Sequence, residues 1–564
     1  MLVYHRWPQF FKTDTETVIH IPATSKTSSS LSMNQNKPAK LQEVDQQEND
    51  ENALVPQLED KSPTPASTAN DSGVMAIEKN EFDEAIRYFK KATQLDSDYA
   101  KGWYNLGVVY TKQRQLKEAE QAYLKAIRLR PYYVEALYNL GYLFMLSKDY
   151  RQASRYLAQA VEASGTGSTK YVKAYYNLGQ ALSKQNDLKG AQRAYFKAIQ
   201  LKPDYVKARY NLALVYLKTD QPDLAKAEFN KLTQLEPDNP EVYYNLGVLA
   251  SNNEDYQQAA EYYNKALALK PDYAKASFNL GVSLSKLNHK EEAQQAYLTT
   301  IKADSSYTAA WFNLGTLHLK DKDYLKATQY LQKAVALDPE YTSGWYNLAI
   351  AQAEATLFVD AEKSYHRVLK LDPQKNEAYF NLAATLKAQG KTQEAIASLE
   401  ELLSRDPVDT KALFNLADYL IELEKYDQAE KQLDRLIALT PQDYRAYSNR
   451  ALCRKHLGDL PAAEKDYKTA IQLKPDHRVA YHNLALVYEK EKKFDLAVVH
   501  LKKALELDPQ AWKSHWKLGQ IYLVIGKTKE AWEEYQQAMK YKPAGIESKF
   551  IREFDQLKLK LGKI

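Results

Sequence analysis

The stretch Val172–Leu182, "VKAYYNLGQAL", sets Asn177 behind a tyrosine pair and ahead of Leu-Gly. Its apolar residues fall three and four apart, which predicts an amphipathic helix. Asparagine is a mediocre helix former, because its amide competes with the backbone for hydrogen bonds. Yet the word returns as "AKGWYNLGVVY" at 100–110, "PEVYYNLGVLA" at 240–250 and "TSGWYNLAIAQ" at 342–352. The amide must have a task that outweighs local propensity.

The recurrence has a period of 34. With the asparagine in slot six, units begin at residues 66, 100, 134, 172, 206, 240, 274, 308, 342, 376, 410, 444, 478 and 512. Slot twenty is alanine in every unit, from Ala85 to Ala531, and slot eight is Gly or Ala. Small residues there predict two helices in close contact, since a larger side chain would push them apart. Slot thirty-two is proline except at Ser97, Gly165 and Ser305, and ends the second helix. Trp103, Trp311 and Trp345, or Tyr175 and Tyr243, occupy slot four and are expected to wedge between the helices. This slot structure also accounts for the 43 tyrosines.

These slots resemble the tetratricopeptide repeat, W/Y-x-x-L-G/A-x-x-Y followed by A-x-x-x-F/Y-x-x-A and a closing proline. The resemblance implies an all-α, right-handed superhelical solenoid of about 14 helix-turn-helix repeats over residues 66–545. Residues 1–65 are polar and rich in Pro and Ser, and are expected to be a disordered tail, with an acidic stretch at 41–60. Unit one reads as a ragged N-terminal cap. Residues 546–564 place Phe550, Ile551, Phe554 and Leu557 on one stripe, expected to be a capping helix. "GTGSTK" at 165–170 lacks the spacing of a phosphate loop and reads as a four-residue insertion between helices.

The 564 residues carry a net charge of only +5, so no global nucleic-acid signature exists. One cysteine, Cys453, excludes an internal disulfide and is expected to be a core filler. Neither a secretion signal nor a membrane-spanning run is visible, which predicts a cytoplasmic protein; translation could start at Met1 or Met33. The ten histidines are scattered, with no metal or catalytic constellation. No enzyme activity, metal or cofactor is expected.

Slot six holds Asn105, Asn139, Asn177, Asn211, Asn245, Asn279, Asn313, Asn347, Asn381, Asn415, Asn449 and Asn483, then Lys517. Slots two, six, nine and thirteen share one helix face. In the family resembled, that face lines the concave wall. A row of amides can pair with the backbone of an extended peptide whatever its sequence. The row is similar to the asparagine ladder of O-linked N-acetylglucosamine transferases, here without their catalytic domain. Packing between repeats would use the same amides. Aromatic residues in slot five, such as Tyr104, Tyr176 and Phe278, stand beside them and suit either role.

Lys101, Lys173, Lys207 and Lys275 make the wall basic in the first units. Glu354, Glu377, Asp418 and Glu422 then turn it acidic, and Arg445, Lys455, Lys490, Lys513 and Lys517 basic again. Such a wall attracts acidic segments. The expected function is a protein-interaction scaffold binding extended acidic peptides, with residues 41–60 as a possible intramolecular competitor. Alternatives are a co-chaperone-like carboxylate clamp, or a non-catalytic subunit of a glycosyltransferase or of a secretion or assembly complex. A clamp in that family needs Lys and Asn in one unit, Asn in the next, and two cations in slots two and six of a third. Lys411, Asn415 and Asn449 fit, but Val479 and Asn483 do not complete it. Neither nucleic-acid binding nor membrane insertion is expected.

Overall fold

The structure, a computed structural model, describes residues 64–165, 171–542, 552, 554–556, 558 and 559. Among them stand 28 helices, α1 (Pro65–Glu78) through α28 (Thr528–Tyr541), and no strand. Each unit read from the sequence is one helical hairpin. Two compact units are distinguished, one ending at Asn313 and the other beginning at Leu314. Within each, successive hairpins pack against one another.

The alanines of slot twenty are fully buried in all hairpins, from Ala85 to Ala531. Slot eight is small for a more specific reason. A Cβ added at Gly107 would lie 2.6 Å from the Tyr123 ring, and one at Gly247 would lie 2.5 Å from Tyr263. The wedge of each hairpin is therefore slot twenty-four on the second helix, held by Phe89, Tyr123, Tyr195, Phe229, Tyr263 and their equivalents. Burying one such ring contributes roughly 2–3 kcal/mol.

The expectation for slot four is corrected accordingly. Trp103, Trp311 and Trp345 are half-buried, and each indole Nε1 donates to a backbone carbonyl in the preceding linker, at Ser97, Ser305 and Pro339, all at 3.0 Å. Arg209 Nε makes the same bond to Pro203 O at 2.9 Å, and His515 Nε2 lies 3.0 Å from Pro509 O. In these five repeats slot four is thus a strap to the preceding linker, made by side chains with a long N–H, whereas Tyr175 in the same slot packs against a core cluster.

The turn inside each hairpin has a feature that residue types do not advertise. Slot fifteen is left-handed in every hairpin, yet glycine fills it only at Gly390, Gly458 and Gly526. Asn80, Arg114, Lys322 and Thr356, among others, carry φ near +60° there. In several hairpins an aspartate follows and caps the second helix: Asp149, Asp187, Asp255, Asp323 and Asp459 each accept from a backbone N–H three residues on.

At the N-terminus, Thr64 and Ser67 form a reciprocal capping box, which explains how the weak pattern of unit one still starts a helix at Pro65. The tail and its acidic stretch 41–60 lie outside the described residues, as do most of the inserted loop and most of 546–564. Of the expected capping stripe only Phe554 is described. It stacks on Trp532 with ring centroids 5.2 Å apart and packs on the last core cluster.

Candidate peptide-binding wall

The slot-six amides lie on the first helix of each hairpin, and their partners follow a rule. Nδ2 of Asn139, Asn177, Asn211, Asn245, Asn279 and Asn381 donates to a tyrosine hydroxyl one repeat earlier. The acceptors are Tyr104, Tyr138, Tyr176, Tyr210, Tyr244 and Tyr346, at 3.1–3.5 Å. All six tyrosines are in slot five. Asn105 donates to the slot-five Asn70, 2.7 Å away. Burial pushes the Tyr244 hydroxyl up to about 12, and the bond from Asn279 pulls it back.

Where slot five is phenylalanine the amide loses this acceptor. Asn313, above Phe278, turns to Tyr297 Oη at 3.3 Å, and Asn347, above Phe312, turns to Thr316 Oγ1 at 3.2 Å. Asn415 follows Phe380 and Asn449 follows Phe414. Asn483 follows Ser448, whose hydroxyl is engaged by His477 Nε2 at 3.2 Å. Asn415, Asn449 and Asn483 are half-buried and have no hydrogen-bond partner among the described residues. They stand on α21 (Thr410–Glu422), α23 (Tyr444–Leu457) and α25 (Arg478–Lys490). The row that looks uniform in sequence is therefore of two kinds: packed amides, and three consecutive amides with donors and acceptor in hand.

Slot five itself is inter-repeat packing. Tyr104, Tyr176, Tyr244 and Phe278 lie against Tyr133, Tyr205, Tyr273 and Tyr307 of the following linker, with centroids 4.9–5.2 Å apart. In the first units Lys101, Lys207 and Lys275 are half-buried and Lys173 is exposed. Lys270 pairs with Glu241 at 3.8 Å, so that stretch is less one-sided than the lysines alone suggest.

In the later units Lys387 on α19 (Asn376–Ala388) forms a close ion pair with Glu422, one repeat on. Asp418 stands beside them, its carboxyl raised by burial and by Glu422. The next pair in those slots but one, Lys455 and Lys490, is lysine against lysine. Lys490 Nζ lies 3.4 Å from the Lys455 carbonyl, and Lys517, on α27 (Trp512–Val524), pairs with Glu489 at 3.2 Å. The clamp arrangement sought from Lys411 fits better one unit on. Arg445 and Asn449, then Asn483, then Lys513 and Lys517 occupy slots two and six, six, and two and six. Repeating the slot comparison from the following unit would have found it. Arg445 is also tied to Asp443 at 2.8 Å.

Two other groups carry no chemistry. Arg450 replaces the slot-seven leucine, but Asp466, Asp434, Arg454 and Glu430 close around it in a self-satisfied network at 2.7–2.9 Å. Cys453 is buried as expected, and burial pushes its thiol up to about 12. Among the described residues no group of three His, Cys, Asp or Glu side chains is placed to hold a metal ion.

Family comparisons agree with the slots. Tetratricopeptide-repeat families match residues 73–114, 100–133, 134–166, 172–205, 416–482 and 479–510. The family of the C-terminal domain of cilia- and flagella-associated protein 70 matches 213–440. The chain is a tetratricopeptide-repeat protein. No curated protein matches this tetratricopeptide-repeat chain. Solved structures similar to it include YrrB, described as a TPR protein with an unusual peptide-binding site. It is 24% identical, covering 33% of this chain and 95% of that one, with a TM-score of 0.31. MamA from Desulfovibrio magneticus RS-1 is 25% identical, covering 30% and 96%, with a TM-score of 0.28. Naa15/Naa10 bound to HypK-THB is 14% identical, covering 89% and 78%, with a TM-score of 0.38. Among the described residues of this tetratricopeptide-repeat protein, no helix is long and apolar enough to cross a membrane.

Proposed function

We propose that this repeat protein is an interaction scaffold that holds an extended acidic segment of a partner protein along the slot-six face, with the polar contacts concentrated on Asn415, Asn449 and Asn483. The observation that carries the reading is that these three amides, alone in the row, have no partner among the described residues. An amide that already donates to a neighbouring repeat must break that bond to greet a ligand, at a cost of about 1 kcal/mol. A free amide has no such debt, and three in consecutive repeats can follow a peptide backbone. The lysines beyond them favour acidic segments over basic ones. Lys101, Lys173, Lys207, Lys275 and the remaining asparagines, from Asn105 to Asn381, are placed outside the principal contact region in this proposal.

The test is fluorescence anisotropy with a pool of Asp/Glu-rich peptides on the full chain and on the triple variant Asn415→Ala, Asn449→Ala, Asn483→Ala. Binding at least tenfold weaker with unchanged helicity is expected. Equal affinity removes the reading. A second reading, capture of a chain-terminal carboxylate, is favoured by the placement of Arg445, Asn449, Asn483, Lys513 and Lys517. Peptides with amidated C-termini distinguish it: they lose affinity only if the terminal carboxylate is the anchor.

A further inference from the structure

We propose that Lys455, Lys490 and Lys517 form a seat for a phosphate monoester carried on a partner's segment. The argument begins with a comparison inside the molecule. Slot twelve of one repeat meets slot thirteen of the next. At Lys387 and Glu422 those slots hold opposite charges that neutralise each other. At Lys455 and Lys490 the same two slots hold lysines, with Lys490 Nζ 3.4 Å from the Lys455 carbonyl and an acid in neither slot. Lys455 is only 7% exposed, yet its ammonium has no acceptor among the described residues. Most of the side chain is buried while its nitrogen is not sealed from solvent, so a cation stripped of much of its water and lacking an acceptor is both poised for an anion and within reach of one.

The remaining surroundings say which anion. Lys517 adds a third positive charge and Glu489, its partner, removes one. Two positive charges stay uncompensated. One carboxylate neutralises half of that, whereas a phosphate monoester carries about −1.5 to −2 at neutral pH and three acceptor oxygens. The other charged or titratable groups nearby do not supply the missing acid. His456 follows Lys455 on α23, and His482, on α25, is buried and held neutral, its pKa pushed down to about 3 by burial and by Arg478, Lys455, Lys517 and Lys513. Asp418 and Glu422, on α21, face Lys387. Repulsion is visible on Lys455 itself, whose pKa falls to about 8 through burial, Lys490 and Lys517. The free amide Asn483 shares a face of α25 with Lys490, seven residues on, so a segment held there would bring its side chain to this seat. The inference rests on the segment reading for the carrier only; the seat itself can be tested without a peptide.

Inorganic phosphate at constant ionic strength, against chloride, is the first probe, read as the melting temperature of the full chain. At pH 7 the wild type is expected to gain several degrees, and Lys455→Met and Lys490→Gln to gain clearly less. Lys455→Met is expected to melt higher than wild type without phosphate. Lys490 is exposed, so Lys490→Gln keeps the test decisive if Lys455→Met does not fold. Equal gains in all three proteins mean general solvent exclusion and overturn the seat. The second probe is a phosphoserine peptide pool with random flanks, compared with its serine counterpart. At least tenfold tighter binding of the phosphorylated pool, lost in Lys490→Gln, is expected. No preference for it overturns the carrier even if inorganic phosphate binds, while weak binding of acidic peptides with a phosphate response intact counts against the segment reading alone.

Discussion

Asn381 is fully buried and donates to Tyr346 Oη at 3.2 Å, with the Tyr365 hydroxyl also beside it, so removing the Tyr346 oxygen takes away one of its buried contacts. Tyr346→Phe should cost about 1 kcal/mol in urea unfolding although it deletes one atom, because a buried hydrogen bond is lost. Lys455 supplies a second expectation at this scale. Its folded pKa, about 8, lies below its ordinary 10.5, through burial, Lys490 and Lys517. Between those values the unfolded chain binds more protons than the folded one, so stability rises with pH across that window and is lowest below about 8. Urea midpoints at pH 7, 8 and 9.5 should show this rise, and Lys455→Met should flatten it. His482 stays neutral throughout the window and does not contribute.

At the scale of the element, the hairpin turn is where chain geometry overrules composition. Thr356 sits at φ +62°, where a β-branched side chain crowds its own backbone. Thr356→Gly should therefore raise stability by about 1 kcal/mol in thermal or chemical unfolding, against the usual cost of glycine. The period, the buried alanines of slot twenty and the small slot eight were legible in the sequence, because packing of two helices admits few side chains there. Slot fifteen was not, because Asn, Arg, Lys, Asp, Glu and Thr all fill it and the tight turn imposes the conformation on each. The candidate site was legible as a helix face. Which amides on it are free was not, because the answer lies 35 to 39 residues upstream, in whether slot five offers an oxygen. Slot four shows the same limit: Trp103, Arg209 and His515 look unrelated until their N–H groups are seen on equivalent carbonyls.

Across the whole molecule, stability is carried from neighbour to neighbour, so a lesion should be felt locally. Phe554, stacked on Trp532, covers the end of the last core cluster. Phe554→Ser should speed amide exchange in α27 and α28 and leave hairpins many repeats away at their wild-type rates. A change that spread evenly over the chain would contradict this view. The pairing of slots five and six also makes the wall editable. Phe380→Tyr and Phe414→Tyr would each place a hydroxyl where Asn415 and Asn449 can find it, withdrawing those amides from solvent without touching them. Ligand reach could then be shortened rung by rung, each rung silenced by a single oxygen atom installed one repeat away.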